Sequence, residues 1–179
     1  MKNNHKSGLS GSKTEQNLKD AAANEALAHI KYMIYSDIAK DAGELEAARM
    51  FDKHAGHEKE HAELWLSYLD ELSDTDDNLD RAIRGETYES TEYYPDYARI
   101  AKEEGFYEIS DKFMMTGEVE KQHTSHLNEL ADAMANNQLK QGDAETEWCC
   151  TNCGYHTKGN IPPEVCPLCG YPKWYFTKH

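Results

Sequence analysis

Glu58-Lys59-Glu60-His61 and Glu120-Lys121-Gln122-His123 spell one pattern, Glu-x-x-His, twice at an offset of 62 residues. On a helix, residues i and i+3 lie about one turn apart on one face, so a carboxylate and an imidazole spaced this way can grip one ion from the same side. The offset reaches beyond the pair. Ile38-Ala39-Lys40-Asp41-Ala42-Gly43 returns as Ile100-Ala101-Lys102-Glu103-Glu104-Gly105, Tyr32 as Tyr94, Tyr35 as Tyr97 and Phe51 as Phe113. Such self-similarity predicts two helical hairpins related by a pseudo-twofold axis.

Caps and breakers divide the chain around that repeat. Residues 1 to 11 are polar and read as a loose tail. Ser12 followed by Glu15 matches a capping box, so a first helix starts near Lys13 and runs to about Ala42, where Gly43 offers a left-handed stop. A second helix is predicted from about Glu44 to Leu72, then a polar break over Ser73-Asp74-Thr75-Asp76-Asp77. A third runs from about Asn78 to Thr91. Pro95 cannot sit deep inside a helix, so a kink or restart is expected there, ending near Glu104 with Gly105 as the stop. A fourth helix spans about Phe106 to Asn137. Residues 12–140 therefore read as a four-helix bundle and 141–179 as a separate cysteine domain.

Two Glu-x-x-His helices facing each other make a two-metal cage once each of the other two helices adds a Glu. Glu25 stands 33 residues before Glu58, and Glu86 stands 34 before Glu120. Glu89, one turn from Glu86, is a further candidate on the same face. Ionised carboxylates converging in a bundle core without a partner would cost tens of kcal/mol, which divalent cations offset. Mixed carboxylate and imidazole ligands suit iron or manganese better than magnesium. Tyr32 and Tyr94 each sit near a ligand, as bundle core or as hydroxyls that orient a carboxylate. His29, His54, His57 and His126 have no matched partner under the offset and read as surface or core histidines.

His57-Glu58-Lys59-Glu60-His61 also fits His-Glu-x-x-His, the zinc protease signature. The repeat argues against that reading, because the counterpart of His57 is Val119.

All five cysteines lie in the last 31 residues, at 149, 150, 153, 166 and 169. Cys150-Thr-Asn-Cys153 and Cys166-Pro-Leu-Cys169 form Cys-x2-Cys-x12-Cys-x2-Cys, a tetrahedral S4 site for zinc or a single iron. So short a module needs its metal to hold together. The surrounding Gly154, Tyr155, Pro167, Gly170, Trp174 and Phe176 favour iron. Cys149 is one thiol too many and has no assigned role. Clustered Cys-x-x-Cys pairs without a secretory leader read as a metal site in a reducing cytoplasm.

The net charge of −14 argues against nucleic acid as a partner. No apolar run approaches the roughly 20 residues of a membrane span, and Met1–Lys13 has no apolar core of a secretory signal. No Gly-x-Gly-x-x-Gly follows a strand, so no nicotinamide or flavin site is visible.

Paired Glu-x-x-His, the segment Gly85-Glu86-Thr87-Tyr88-Glu89, and a C-terminal Cys-x-x-Cys-Gly-Tyr with Cys-Pro-x-Cys together resemble the rubrerythrins, from about Leu9 to Phe176. The resemblance implies a mainly α fold: a ferritin-like diiron four-helix bundle followed by a rubredoxin-like domain. It implies diiron ligands Glu25, Glu58, His61, Glu86, Glu89, Glu120 and His123, with Tyr32 and Tyr94 beside them. It also implies an iron on Cys150, Cys153, Cys166 and Cys169, where zinc can substitute. The activity implied is that of a cytoplasmic peroxidase, reducing hydrogen peroxide in oxidative stress defence with electrons from a reductase or rubredoxin. A homodimer or larger assembly is implied, in which the cysteine module of one subunit approaches the diiron site of another. In that family one iron exchanges a glutamate for a histidine with redox state; here the pair would be Glu89 and His61. The alternative is a ferroxidase or iron-handling ferritin-like protein.

Overall fold

The computed structural model describes residues 8–179. Of the tail expected over residues 1–11, the first seven residues lie outside the described ones. The chain is mainly α, with four long helical rods followed by a small sheet that carries the cysteines. It divides into two compact units, one ending at Asp74 and one starting at Thr75.

The first unit is a helical hairpin of α1 (Lys13–Asp41) and α2 (Leu45–Tyr68). Ser12 caps α1, its Oγ accepting the Glu15 N–H at 3.0 Å. Gly43 reverses the chain at φ +77°, and the Glu44 N–H bonds back to the Ala39 carbonyl at 2.8 Å. Ala48, Ala55 and Ala62 recur every seven residues on α2 and are buried. That is a seam of small residues on which α1 can lie close. Ser36 donates to the Ala48 carbonyl at 3.1 Å, and His29 Nδ1 lies 2.8 Å from the Ala55 carbonyl. Helix α2 ends at Tyr68, short of the predicted Leu72. Asp70 takes a left-handed conformation at φ 60°, and the Glu71 N–H returns to the Leu66 carbonyl at 3.1 Å. Asp is among the few non-glycine residues that tolerate this conformation.

The second unit opens with α3 (Thr75–Tyr88), which starts three residues before the predicted Asn78. Asp76 and Asp77 in its first turn stabilise the positive end of the helix. No kink follows. The rod passes through a π-helical turn, Glu89–Tyr93, directly into α4 (Tyr94–Glu103). The Tyr94 N–H bonds to the Glu89 carbonyl, five residues back. Pro95 next to it has no N–H to offer, and the widened turn absorbs that loss. Gly105, at φ +88°, then turns the chain into α5 (Tyr107–Ala135).

The second hairpin repeats the joints of the first. Ser110 donates to the Ala98 carbonyl at 2.7 Å. Under the 62-residue offset Ser36 matches Ala98 and Ala48 matches Ser110, so donor and acceptor helices have exchanged roles at one joint. Tyr35 meets Phe51 edge-on at 5.5 Å, and Tyr97 meets Phe113 edge-on at 5.6 Å.

After α5 come three short strands, β1 (Glu147–Cys150), β2 (His156–Lys158) and β3 (Phe176–Lys178), in the antiparallel order β2-β1-β3. Trp148 and Phe176 are fully buried against Cys150 and Cys166. Trp148 donates its indole N–H to the Gly159 carbonyl at 2.8 Å, and Lys140 donates to the Phe176 carbonyl. Alternation along β1 turns Trp148 and Cys150 inward and Cys149 to the other face.

Candidate metal centres

In the first hairpin, Glu25 of α1 and Glu58 and His61 of α2 bring their ligand atoms within 4.8 Å of one another. His61 Nδ1 is 2.8 Å from Glu58 Oε2 and 4.0 Å from Glu25 Oε1. The hydrogen bond to His61 holds the Glu58 carboxyl below its usual range against the opposing effect of burial, with Glu25 and the charge of His54 helping. His54 precedes Glu58 by four residues, one turn along α2, and its ring lies 6.2 Å from that of Tyr32. His54 is a neighbour of the cluster that the repeat did not flag; its one-turn spacing from Glu58 was the available signal. Tyr32 itself packs on Phe51 at 6.0 Å.

The second hairpin carries the twin cluster: Glu86 of α3 with Glu120 and His123 of α5. His123 Nδ1 is 2.7 Å from Glu120 Oε2 and 3.3 Å from Glu86 Oε2. Burial pushes the Glu86 carboxyl up, its hydrogen bond with Glu120 adds to this, and His123 opposes it. Tyr94 is likewise pushed up by burial and by the charges of Glu89, Glu120 and Glu86. Its hydroxyl therefore stays protonated beside the carboxylates. Glu89 is half-buried at the start of the π turn and stands outside the Glu86–Glu120–His123 triad.

The π turn explains a mismatch in the repeat. Tyr32 to Tyr94 is an offset of 62, whereas Glu25 to Glu86 is 61, so one extra residue lies between Glu86 and Tyr94. The π turn occupies that interval. A π turn is how a helix accommodates one inserted residue without breaking.

Each triad offers two half-buried carboxylates and one exposed imidazole, a donor set that suits divalent iron or manganese. The four remaining ligands are sulfurs. Cys150 and Cys169 Sγ are 3.8 Å apart, and Cys153 and Cys166 Sγ are 3.7 Å apart. A tetrahedron with metal–sulfur bonds of about 2.3 Å has edges of about 3.8 Å, so the pocket already has the size of one thiolate-bound ion. Two matching turns build it. The Gly154 and Gly170 N–H groups bond to the Cys150 and Cys166 carbonyls, and the Cys150 and Cys166 N–H groups bond to the Tyr155 and Tyr171 carbonyls. The Tyr171 backbone N–H draws the Cys169 thiol down to about 6. At Cys153 the Tyr155 N–H acts in the same direction, but burial and the three neighbouring sulfurs outweigh it and push the thiol up to about 12. Four thiols packed this closely cannot all ionise without a cation.

Residues 16–131 match the family model described as Rubrerythrin, and residues 148–177 match the one described as Rubrerythrin, rubredoxin-like domain. The chain belongs to the rubrerythrin family. Rubrerythrin-1 of Clostridium acetobutylicum is 34% identical, with 94% of this chain and 95% of that protein covered. A putative rubrerythrin of Methanocaldococcus jannaschii is 36% identical over 91% of each. The rubrerythrin of Nitratidesulfovibrio vulgaris is 34% identical, covering 94% of this chain and 95% of its own. The fold class is that of the family, a ferritin-like four-helix bundle followed by a rubredoxin-like domain. Its cofactors are a non-haem diiron centre on Glu and His ligands and a rubredoxin-type iron on four cysteines, and its role is that of an oxidoreductase. No helix among the described residues is long and apolar enough to cross a membrane.

Proposed function

We propose that this protein is a diiron peroxidase: it reduces hydrogen peroxide to two waters, taking two electrons and two protons, in cytoplasmic defence against oxidative stress. The observation that carries the reading is the presence in one chain of two matched Glu–Glu–His triads and a four-thiol site. The ligands assigned to the iron pair are Glu25, Glu58, His61, Glu86, Glu89, Glu120 and His123. Cys150, Cys153, Cys166 and Cys169 hold the third iron.

When bound, adjacent ferrous ions supply both electrons together, so that no one-electron product of peroxide is released. The chain's own groups do the rest. His61 and His123 each keep one carboxylate of their triad within 2.8 Å, which fixes the ligand faces. Burial and the charges of Glu89, Glu120 and Glu86 keep the Tyr94 hydroxyl protonated, which supports a role for it as a proton donor to peroxide. The half-buried Cys153 and Cys169 form the open edge of the thiolate site, through which electrons from a reductase or rubredoxin enter. Ferritin-type iron handling has no use for such a thiolate centre.

The test is anaerobic. In reduced protein the iron pair should be oxidised at about one peroxide per pair, the ferrous thiolate site adding about half a peroxide more, and a reductase should then restore both. Reduced protein with a loaded iron pair that peroxide leaves unchanged would overturn the peroxidase reading.

A further inference from the structure

The outer face of the three-stranded sheet carries metal-ligating side chains that neither iron site uses. Alternation along β1 sends Trp148 and Cys150 inward, so Glu147 and Cys149 stand on the outer face. Residues opposite each other on neighbouring strands share a face. Cys149 is opposite His156 on β2 and Thr177 on β3. One step further along this register, His179 lies beside Glu147, its N–H bonded to the Glu147 carbonyl at 3.0 Å. The sheet thus delivers His156 from β2, Glu147 from β1 and His179 from the end of β3 to one patch of surface.

The spacing of these groups is that of ligands on one ion. His156 Nδ1 lies 3.2 Å from Glu147 Oε1, and the ring centres of His156 and His179 are 5.0 Å apart. In a tetrahedral site with bonds of about 2.0–2.1 Å, two ligand atoms are about 3.3 Å apart and two imidazole ring centres about 5 Å apart. Two imidazoles and one carboxylate are also a donor set with which zinc keeps a fourth position open to water. Solvent reaches the patch: the His156 and Glu147 side chains are 41% and 46% exposed. Lys158, opposite Glu147, pairs with Glu145 at 3.0 Å and so is drawn away from the cluster. Cys149 shares the face, but its Sγ leans toward the Cys150 carbonyl at 3.8 Å, away from Glu147, which leaves its thiol outside the set.

We propose that Glu147, His156 and His179 bind a zinc ion on the outer face of the sheet, and that this ion clamps the three strands together. The strands are only three or four residues long. β3 carries Phe176, which packs against Cys150 in the small core of the module. Fixing the end of β3 to β1 and β2 therefore supports the wall of the thiolate pocket from the side opposite its iron. An ion that binds the folded sheet and not the unfolded chain stabilises the module by mass action.

Zinc counting on the iron-loaded protein tests it. The wild type and the double variant His156→Ala with His179→Ala are equilibrated with micromolar zinc and freed of the excess by gel filtration. Elemental analysis should find about one zinc per chain more in the wild type than in the double variant, with equal iron in both. The visible absorption of the thiolate-bound iron reports that the variant's module is folded. Cys149→Ser should keep the zinc. X-ray absorption at the zinc edge of the wild type needs no variant: it should show nitrogen and oxygen neighbours at about 2.0–2.1 Å, the scattering of imidazole rings, and no sulfur. Amide hydrogen exchange over residues 176–179 should slow on adding zinc to the wild type and not to the double variant. Equal zinc in wild type and double variant overturns the proposal. So does a sulfur shell at about 2.3 Å, which would put the zinc in the thiolate site. Loss of the zinc in Cys149→Ser would overturn the ligand set, and exchange over residues 176–179 that zinc leaves unchanged would overturn the clamp.

Discussion

His123 Nδ1 lies 3.3 Å from Glu86 Oε2, across two helices and 37 positions of sequence. The same nitrogen is 2.7 Å from Glu120 Oε2, so this imidazole is the group that draws the second triad together. His123→Ala should leave two carboxylates facing each other without a cationic or metal partner. Iron-pair loading should be lost and peroxide turnover should fall by more than about 100-fold, beyond the 10–100-fold typical of losing an outer hydrogen-bond partner. The visible absorption of the thiolate site should persist. Full turnover in this variant would refute the assignment of His123 as a ligand.

The two triads should differ in their response to acid. Glu58 is held below its ordinary 4.5 by His61, so its contribution to the iron-free fold is present above that value and is lost as pH falls through the lowered one. Glu86 is raised above 4.5 by burial, so its contribution is full below 4.5 and is lost as pH rises through the raised value. A ligand must shed its proton to bind metal. On acidification, metal affinity should therefore fall first in the second triad. Metal titrations at several pH values, with Glu86→Gln as the comparison, would check this; parallel loss at both triads would contradict it.

Two glycines separate helix propensity from packing. A Cβ on Gly56 would meet open space within helix α2, so Gly56→Ala should stabilise by about 0.5–1 kcal/mol and raise Tm by a few degrees. A Cβ on Gly117 would lie 3.2 Å from the Tyr94 Cβ. Both atoms are fixed to their helices, so α4 and α5 must part slightly, and the packing cost cancels or exceeds the propensity gain. Gly117→Ala should therefore be neutral to destabilising and should lower turnover by displacing Tyr94. Thermal melts of the two variants side by side give the comparison, and equal stabilisation in both would show that the Tyr94 contact is slack.

Much of this was readable in advance because it depends on local rules. Gly43 and Gly105 marked helix ends since only glycine takes their positive φ without strain. Ser12 marked a helix start through the one donor it satisfies. The triads followed from the i, i+3 geometry and the repeat. Other features depend on the balance between neighbouring signals. Asp70 ended α2 where a run of polar residues gave no single stop. Pro95 read as a kink or restart, and a new α-helix does start there at Tyr94; what the reading lacked was the π turn before it, in which one inserted residue lets the helix widen around the missing N–H. The difference between spacings of 33 and 34 carried that information without saying how it would be absorbed.

Loss of one thiolate should uncouple the two kinds of iron. Cys150 is fully buried and belongs to the small core with Trp148, Cys166 and Phe176. Cys150→Ser should abolish the visible absorption of the thiolate site and unfold the module, because metal binding supplies its folding energy. Chemically reduced protein should still consume about one peroxide per iron pair, while sustained turnover with a reductase stops. Sustained turnover at the normal rate would mean that electrons reach the iron pair by another route.

The π turn offers the sharpest test of how the second triad is aimed. Deleting Ser90 removes one residue from Glu89–Tyr93 and lets the rod close as an ordinary α-helix. Everything beyond the deletion then rotates by about 100° and shifts by about 1.5 Å relative to α3. Tyr94 is clamped over Gly117 of α5, and α4 is joined to α5 through Ser110 and the Ala98 carbonyl at 2.7 Å. Those contacts hold α4 in place, so the rotation falls on α3 and swings Glu86 away from Glu120 and His123. Helical content by circular dichroism should be unchanged, whereas the second triad should lose about 10–100-fold or more in metal affinity. Wild-type affinity in the deletion variant would show that Glu86 is directed by its own side-chain partners and not by the widened turn.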